Sequence, residues 1–215
     1  MTPNHKSDIA LLLRGLNEPL DIDEARWEQL LRIARASGLH ARLAEANLHN
    51  ATITAVVRRH LLSSARIAAY RAQLVRAELF HLTPLAAGDF PVIVLKGGAY
   101  LLQHRRIATG RFVSDVDLLV PADHLRTMEG RLRSAGWQAE KLAPYDERYY
   151  RDWSHETPPM RFPGHSLEVD LHHAITPITG SLAFDPASLF ERSEPIPGTP
   201  FRALCPEDQV LHACL

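Results

Sequence analysis

Two carboxylates alternate along one segment of the chain, Ser114–Val120 (SDVDLLV). Successive side chains of a strand point to opposite faces. Asp115 and Asp117 would therefore share one face, and Val116, Leu118 and Val120 would lie on the other. Carboxylates about 7 Å apart on one strand repel each other unless a cation lies between them. Mg²⁺ suits such a pair, because it prefers oxygen ligands and keeps waters and substrate phosphates as its other ligands. The segment therefore predicts a divalent cation site, with a solvated strand entrance as the alternative.

A third carboxylate lies on a second alternating segment, Leu167–His172 (LEVDLH). Glu168, Asp170 and His172 would share its polar face, and the residues between them would face the core. A two-metal phosphoryl-transfer site requires such a carboxylate on a neighbouring strand, where it holds only the ion that activates the attacking oxygen. The alternative is an amphipathic edge strand with a hydrated acidic face.

A pattern typical of anion binding precedes both segments. Lys96-Gly97-Gly98 follows an apolar strand predicted at Val92–Leu95 and precedes a short helix predicted at Ala99–Arg106. Two glycines at that point allow backbone N–H groups to crowd together at a helix N-terminus, where they bind anions. A simple turn after a strand is the alternative.

Helices are predicted throughout the first 85 residues. Asp21–Gly38 has acidic residues in its first turn, apolar residues at helical spacing and a final glycine, which together predict a helix. A longer helix is predicted to open at Asn50 and to run to about Thr83. Its apolar stripe consists of Val57, Leu61, Ala68, Val75 and Leu79.

Four arginines lie together on another side of this long helix: Arg58, Arg59, Arg66 and Arg76. They predict either a solvated face or an anion-facing wall that binds a partner protein or a nucleic acid.

Strands and helices alternate after residue 85, which indicates an α+β fold with a small mixed sheet and a helical N-terminal region. We divide the chain into a helical region at 1–85, a sheet core at 86–205 and, at 206–215, the start of a C-terminal helix. This last segment either leads into a larger helical region that the chain lacks or docks as a short helix. The predicted elements are strands at Val116–Val120, Trp137–Leu142 and Ser166–His172, a helix from Pro121 to Gly136, a hairpin or long loop at Arg148–Phe162, and helical turns at Pro186–Arg192.

The composition excludes several classes of protein. Among 215 residues, 24 Lys and Arg and 25 Asp and Glu leave a formal net charge of −1, which gives no general attraction to nucleic acid or membranes. Cys205 and Cys214 form no CxxC pattern, so we expect neither a disulfide scaffold nor a zinc knuckle. Ile9–Leu13 is too short for the core of a signal peptide, and no run of ~18 apolar residues occurs. We therefore expect a globular cytoplasmic protein.

Together, the motifs resemble the nucleotidyltransferase superfamily that includes DNA polymerase β and kanamycin nucleotidyltransferase. They are most similar to its branch of bacterial nucleotidyltransferases of unassigned substrate. The matching residues are Leu95-Lys96-Gly97, Arg111, Asp115-Val116-Asp117-Leu118-Leu119-Val120 and Asp170-Leu171-His172. Leu204–His212 also resembles the helix that opens the C-terminal region of that branch.

The resemblance implies transfer of an NMP from an NTP such as ATP to an acceptor hydroxyl, with release of pyrophosphate. Asp115 and Asp117 would hold two Mg²⁺ or Mn²⁺ ions, and Asp170 would complete the ion nearest the nucleophile and accept the proton. The acceptor would be a small molecule, a peptide or a protein, with nucleic acid as an alternative and no membrane partner. The nucleotide would be bound by Lys96, Gly97, Gly98, Arg111 and Ser114, while Glu168 and His172 would support the metal ligands.

His172 would orient Asp170 or contact the acceptor, with a neutral histidine packed at the strand end as the alternative. The pair His172-His173 also suggests zinc, although no further ligand lies at a suitable spacing. The chain departs from the superfamily at Gly97-Gly98, where relatives have Gly-Ser, so Lys96 would compensate for a missing hydroxyl. Two other classes remain open: a non-catalytic nucleotide- or partner-binding module of the same fold, and a glycosyltransferase whose DxD motif holds one ion.

Overall fold

The computed structural model of the chain describes residues 5–139, 156–176 and 185–214, which fall into two compact units. The first unit takes its residues from Met1–Gln73 and Arg105–Val113, and the second from Leu74–His104 and Ser114–Leu215. The hairpin or loop predicted from Arg148 lies outside the described residues up to position 155. The domain boundaries predicted from the sequence stay a prediction.

The first unit is helical. It contains α1 (His5–Gly15), α2 (Glu24–Ala36), α3 (His40–Asn47) and the part of α4 (Ala55–Ala86) that ends at Gln73. The start of α2 follows from a cap, because the Asp23 side chain accepts a hydrogen bond from the backbone N–H of Arg26 at 2.8 Å. Its core contains Leu12, Leu20, Trp27, Leu30, Leu31, Leu43 and Leu61.

The fully buried Asn47 side chain joins three segments of this unit. Its amide donates to the carbonyls of Gly15 at 2.8 Å and Leu43 at 2.9 Å, and its oxygen accepts from the N–H of Leu20 at 2.8 Å. Each bond satisfies a backbone group that burial would otherwise leave without a partner.

The long predicted helix is present as α4, and its apolar stripe is buried as predicted: Val57, Leu61, Ala68, Val75 and Leu79 are each at most 5% exposed. The helix begins later than Asn50, because the Asn50 side chain accepts from the N–H of Thr52 at 3.0 Å and holds a turn there. Arg58, one of the four arginines grouped on this helix, makes hydrogen bonds to the backbone just before the helix. Arg58 donates to the carbonyls of Leu48 and Asn50, at 2.6 and 2.9 Å.

The second unit is built on a seven-stranded mixed sheet of order β3-β4-β5-β2-β1-β7-β6. The β2–β5 and β1–β7 pairs are parallel, and the other described pairs are antiparallel. The predicted α+β class with a mixed sheet is therefore confirmed. The strands are β1 (Ile93–Val94), β2 (Asp115–Leu119), β3 (Gln138–Ala139), β4 (Met160–Arg161), β5 (Glu168–His172), β6 (Glu194–Pro195) and β7 (Arg202–Ala203).

Helices accompany this sheet in the order expected from the sequence. They are α5 (Lys96–Leu102), α6 (Leu125–Ala135), α7 (Pro186–Arg192) and α8 (Pro206–Cys214), with 3-10 turns at Arg106–Ala108, in the first unit, and at Ala122–His124. In the part of the chain that the structure describes, each helix is too short or too polar to cross a bilayer. Both cysteines are free thiols.

The start of α5 differs from the sequence-based prediction, which placed this helix at Ala99–Arg106. The helix begins at Lys96, so both glycines lie within its first turn. A Cβ atom at Gly98 would lie 2.7 Å from Cγ1 of Val94, which means that the missing side chain allows α5 to pack closely against β1. Lys96 itself adopts a φ of 44°, in the left-handed region.

Gly98→Ala is expected to destabilise the protein by about 1–3 kcal/mol, because the stiff β-branched Val94 has little room to move and the helix must shift. Gly130→Ala is the matched control: Gly130 lies within α6 and a Cβ there meets nothing within 4 Å. That change should stabilise by about 0.5–1 kcal/mol through helix propensity. Urea denaturation measures both variants, and equal effects would show that close packing does not require Gly98.

Candidate functional site

The site is built on the pairing of β2 with β5. The two strands run parallel, with Asp115 opposite Glu168 and Asp117 opposite Asp170. Residues directly opposite each other in a sheet share a face, with Cβ atoms about 5 Å apart. Four acidic side chains therefore occupy one small area of the sheet, while the alternate residues, among them Val116 and Val169, are fully buried.

A lysine contacts the most buried of these carboxylates. The N–H of Leu95 donates to the carbonyl of Asp117 at 3.0 Å, so Lys96 follows directly beside β2. Its Nζ atom lies 2.7 Å from Oδ1 of Asp117, whose side chain is 4% exposed, whereas the lysine side chain is 43% exposed. The ammonium group is thus paired with the site and still accessible from solvent.

A histidine approaches the same carboxylate oxygen from β5. Nε2 of His172 lies 3.0 Å from Oδ1 of Asp117, and Nδ1 lies 3.5 Å from Oε2 of Glu156. Since an ionised carboxylate only accepts hydrogen bonds, Nε2 carries the hydrogen and donates it to Asp117. The imidazole therefore lies between two carboxylates, and its hydrogen bond fixes the orientation of Asp117.

The neighbouring aspartates of β2 titrate differently. Burial and the charge of Asp117 raise the pKa of Asp115, against a hydrogen bond that its carboxylate receives from Ser114. Burial would also raise the pKa of Asp117, but hydrogen bonds from His172 and Lys96 outweigh it, so that this pKa is lowered. Lys96 responds in turn: burial acts to lower its pKa, and the bond to Asp117 raises it overall.

Asp170 has a strongly raised pKa. Burial, followed by the charge of Asp117, raises its pKa to about 7, even though His172 acts to lower it. Its Oδ1 atom is buried and has no hydrogen-bond partner among the described residues. A carboxylate held in this state has an unmet need for a cation or a proton.

These residues fit a site for divalent cations of the Mg²⁺ type. Asp115, Asp117 and Asp170 offer hard oxygen donors on one face, and the unpartnered oxygen of Asp170 is the kind of atom that a cation would satisfy. Burial, together with the charge of Asp117, raises the pKa values of both Asp115 and Asp170, so a bound cation would favour their ionised forms.

The polar face continues beyond β5 towards β3. Gln138 lies opposite Arg161, and Arg161 lies beside Glu168, to which its guanidinium is bonded at 2.5 Å. These three side chains line a cavity of about 340 Å³ together with Ala139, Pro159, Phe162 and Pro163. Glu168, opposite Asp115, thus connects the cavity to the aspartates.

The other predicted nucleotide-binding residues are distributed over both units. Gly97 and Gly98 are buried in the first turn of α5, and Ser114 is exposed next to Asp115. Arg111 is exposed in the first unit, and its role as a phosphate contact stays a prediction.

Sequence reasoning missed two features of the site. Glu156 lies outside every motif, and it reaches His172 through a bridge between their backbones. His172 was expected to orient Asp170 or to contact the acceptor, and its bond to Asp117 was not foreseen. That bond follows from the strand register, which pairs Leu119 with His172 and Asp117 with Asp170 and which neither segment alone predicts.

A second group of side chains, Glu78, His81 and His165, could hold a metal ion and lies on other elements of the second unit. It shares no residue with the aspartate site.

Comparison with known proteins identifies the family of the chain. The family model of uncharacterised nucleotidyltransferases matches residues 23–215. The chain therefore belongs to this nucleotidyltransferase family, which supports a transferase role with an NTP as substrate. No curated protein and no solved structure matches the chain.

The raised pKa of Asp170 predicts a pH-dependent stability in the metal-free protein. Between about pH 4 and 7 the folded protein retains a proton that the unfolded chain has released, so the free energy of unfolding falls as pH rises through this window. Asp170→Asn removes the charge and should exceed the wild type in stability by more at pH 8 than at pH 5. Urea denaturation in EDTA at both pH values measures this.

Asp21→Asn is the control for this comparison, because Asp21 is exposed in the first unit. Its difference from the wild type should be the same at both pH values. A pH-independent effect of Asp170→Asn would contradict the assignment of the repulsion to Asp170.

Proposed function

We propose that the protein is a metal-dependent nucleotidyltransferase of the DNA polymerase β and kanamycin nucleotidyltransferase type, which transfers an NMP from an NTP to an acceptor hydroxyl. The observation that carries this proposal is the β2–β5 register, with Asp117 opposite Asp170 and Asp115 on the same face. Membership of the nucleotidyltransferase family supports it. The reaction forms a bond between the acceptor oxygen and the α-phosphorus and breaks the bond to pyrophosphate.

Asp115 and Asp117 would hold two Mg²⁺ ions, and Asp170 would share the one nearest the acceptor. When bound, the ions neutralise the charge that develops on the phosphate oxygens and favour ionisation of the attacking hydroxyl. The protein contributes orientation: His172 and Lys96 keep Asp117 ionised and fixed in place. Positioning and charge neutralisation supply most of the rate in this class of reaction.

Asp170 is suited to receive the proton of the acceptor hydroxyl. Its buried Oδ1 atom has no hydrogen-bond partner among the described residues, so this oxygen can take up a proton without giving up a bond. Asp117 accepts hydrogen bonds from Lys96 and His172, which lower its pKa, so it would stay ionised and would not serve as the base.

The phosphates of the nucleotide would lie on the side of β1 and α5. The Lys96 ammonium is accessible there, and the first N–H groups of a helix have no partner within it. Arg111, Ser114 and the backbone at Gly97 and Gly98 complete the proposed nucleotide-binding set.

The acceptor would lie on the opposite side, over β4 and β5. The cavity lined by Gln138, Arg161 and Glu168 continues from Asp115 along that side. Its lining offers a guanidinium, a carboxylate and an amide beside the Phe162 ring, which suits a polar acceptor with hydroxyl groups.

The direct test is turnover. Incubation with each NTP, Mg²⁺ and host lysate should release pyrophosphate and give a nucleotide adduct that mass spectrometry detects, with loss of both signals in EDTA. Binding of NTP without any adduct or pyrophosphate would favour a non-catalytic nucleotide-binding module. Protection by sugar nucleotides alone would indicate a glycosyltransferase.

Two variants should fail in different ways. Asp117→Asn keeps the shape of the side chain but removes a charge from the cation site, so metal-dependent NTP binding and turnover should be lost. Lys96→Ala should weaken NTP binding and spare Mg²⁺ binding without nucleotide. Thermal unfolding with and without ligand measures both, since ligand at about 100 times its Kd adds about 2.7 kcal/mol to the free energy of unfolding.

Asp123→Asn is the matched control, because the Asp123 side chain is 80% exposed in the same unit. It should respond to Mg²⁺ and NTP as the wild type does. The proposed site is wrong if Asp117→Asn retains metal-dependent NTP binding while Lys96→Ala unfolds the protein, because Lys96 would then be only a structural partner of Asp117.

A further inference from the structure

A carboxylate and two imidazoles converge where the second half of α4 meets the turn after β4. Glu78 and His81 lie three residues apart on α4, so they project from the same side of the helix. His165 joins them from the connection between β4 and β5. Ligand atoms of the three side chains lie within 4.8 Å of one another.

Glu78 is buried in this group and is held in one orientation. Its side chain is 3% exposed, Oε1 accepts from Nε1 of Trp137 at 2.9 Å, and Oε2 lies 2.6 Å from Nδ1 of His165. The indole leaves one oxygen directed at the histidines. A carboxylate this deeply buried requires a positive partner, because an uncompensated charge in the interior is costly.

The two histidines are stacked on each other. Their ring centroids are 5.0 Å apart with an interplanar angle of 26°. The Phe162 ring also packs against His165, with the two ring centroids 4.6 Å apart. Two protonated imidazoles at this distance would repel each other. A cation bound by two neutral imidazoles would avoid that repulsion, and the cation itself would supply the positive charge that Glu78 requires.

We propose that Glu78, His81 and His165 form a Zn²⁺ site, separate from the aspartate site and independent of the proposed function. Two imidazole nitrogens and one carboxylate oxygen are a donor set that Zn²⁺ takes in proteins, whereas Mg²⁺ prefers oxygen alone. The ion would tie α4 to the β4–β5 connection. His81 is exposed, so the remaining coordination position faces water.

Trp137 is the positioning residue of this site. Its indole N–H holds Oε1 of Glu78, and the remaining oxygen is thereby kept towards His165. Groups that orient a metal ligand in this way typically contribute tenfold to a hundredfold in affinity. Trp137→Phe removes the N–H donor and keeps an aromatic ring in the core, and the smaller ring also leaves part of the indole volume unfilled.

The test uses untagged, metal-stripped full-length protein in excess Mg²⁺, which competes with Zn²⁺ for sites that offer only oxygen ligands. Titration with Zn²⁺ against a chromophoric chelator should give one equivalent of tight binding, and Co²⁺ should give the visible absorption bands of a tetrahedral site. His81→Ala, at an exposed position, should keep the fold and lose roughly a hundredfold or more in Zn²⁺ affinity. Trp137→Phe should lose roughly tenfold to a hundredfold.

His124→Ala is the matched control, because His124 is another surface histidine of the second unit that stacks on an aromatic ring, that of Phe90 at 4.5 Å. It should bind Zn²⁺ like the wild type, and so should Asp117→Asn. The proposal is overturned if the wild type takes up no tight Zn²⁺, or if binding survives His81→Ala and disappears in Asp117→Asn. The triad would then be a hydrogen-bonded cluster around a buried glutamate.

Discussion

The parallel pairing of β2 with β5 forces like charges together, and the rest of the site depends on it. Two carboxylates about 5 Å apart repel by about 3 kcal/mol at an effective dielectric constant of about 20. The same register buries Val116, Leu118, Val169 and Leu171 completely on the other face. Each such side chain contributes about 1.5–3 kcal/mol on burial, so the apolar face outweighs the repulsion on the acidic face.

The two opposed aspartates, Asp117 and Asp170, respond to this proximity with opposite shifts in pKa. Asp117 receives hydrogen bonds from both Lys96 and His172, and its pKa is lowered, whereas Asp170 retains a buried oxygen without a described partner and a pKa of about 7. Environments that separate the pKa values of neighbouring carboxylates are typical of sites in which one group binds charge and the other moves a proton. The geometry thus supports different roles for two residues of the same type.

Local patterns predicted much of this arrangement, and pairings between distant segments explain the rest. The spacing of Asp115 and Asp117 in the first segment and the strict alternation of Leu167–His172 were enough to assign these side chains to a face. The alignment of Asp117 with Asp170 could not be derived from either segment, because register depends on how the whole sheet assembles. The start of α5 was misplaced for a different reason. Glycine is a poor helix former, so sequence reasoning placed Gly97 and Gly98 before the helix, whereas both lie within its first turn.

Partners outside the motifs were the hardest to foresee. Glu156 lies shortly before β4 and belongs to no sequence motif. His165 lies 84 residues beyond His81 in the sequence. Their proximity to His172 and to Glu78 arises only when β4 and β5 lie beside β2 and α4. Isolated histidines and glutamates carry no positional signal, whereas the alternating aspartates do.

The charge balance of the acidic face bears on how a nucleotide would enter it. Arg161 pairs with Glu168 and Lys96 pairs with Asp117, and Asp115 and Glu156 are further acidic groups near Asp170. An NTP without metal carries several negative charges and would be repelled by such a face. An NTP that arrives with its Mg²⁺ ions is nearly neutral, and the aspartate oxygens can replace waters on those ions. On the proposed function, the excess of carboxylates would favour the metal complex of the nucleotide over the free nucleotide, because the ions would carry most of the charge that compensates the phosphates.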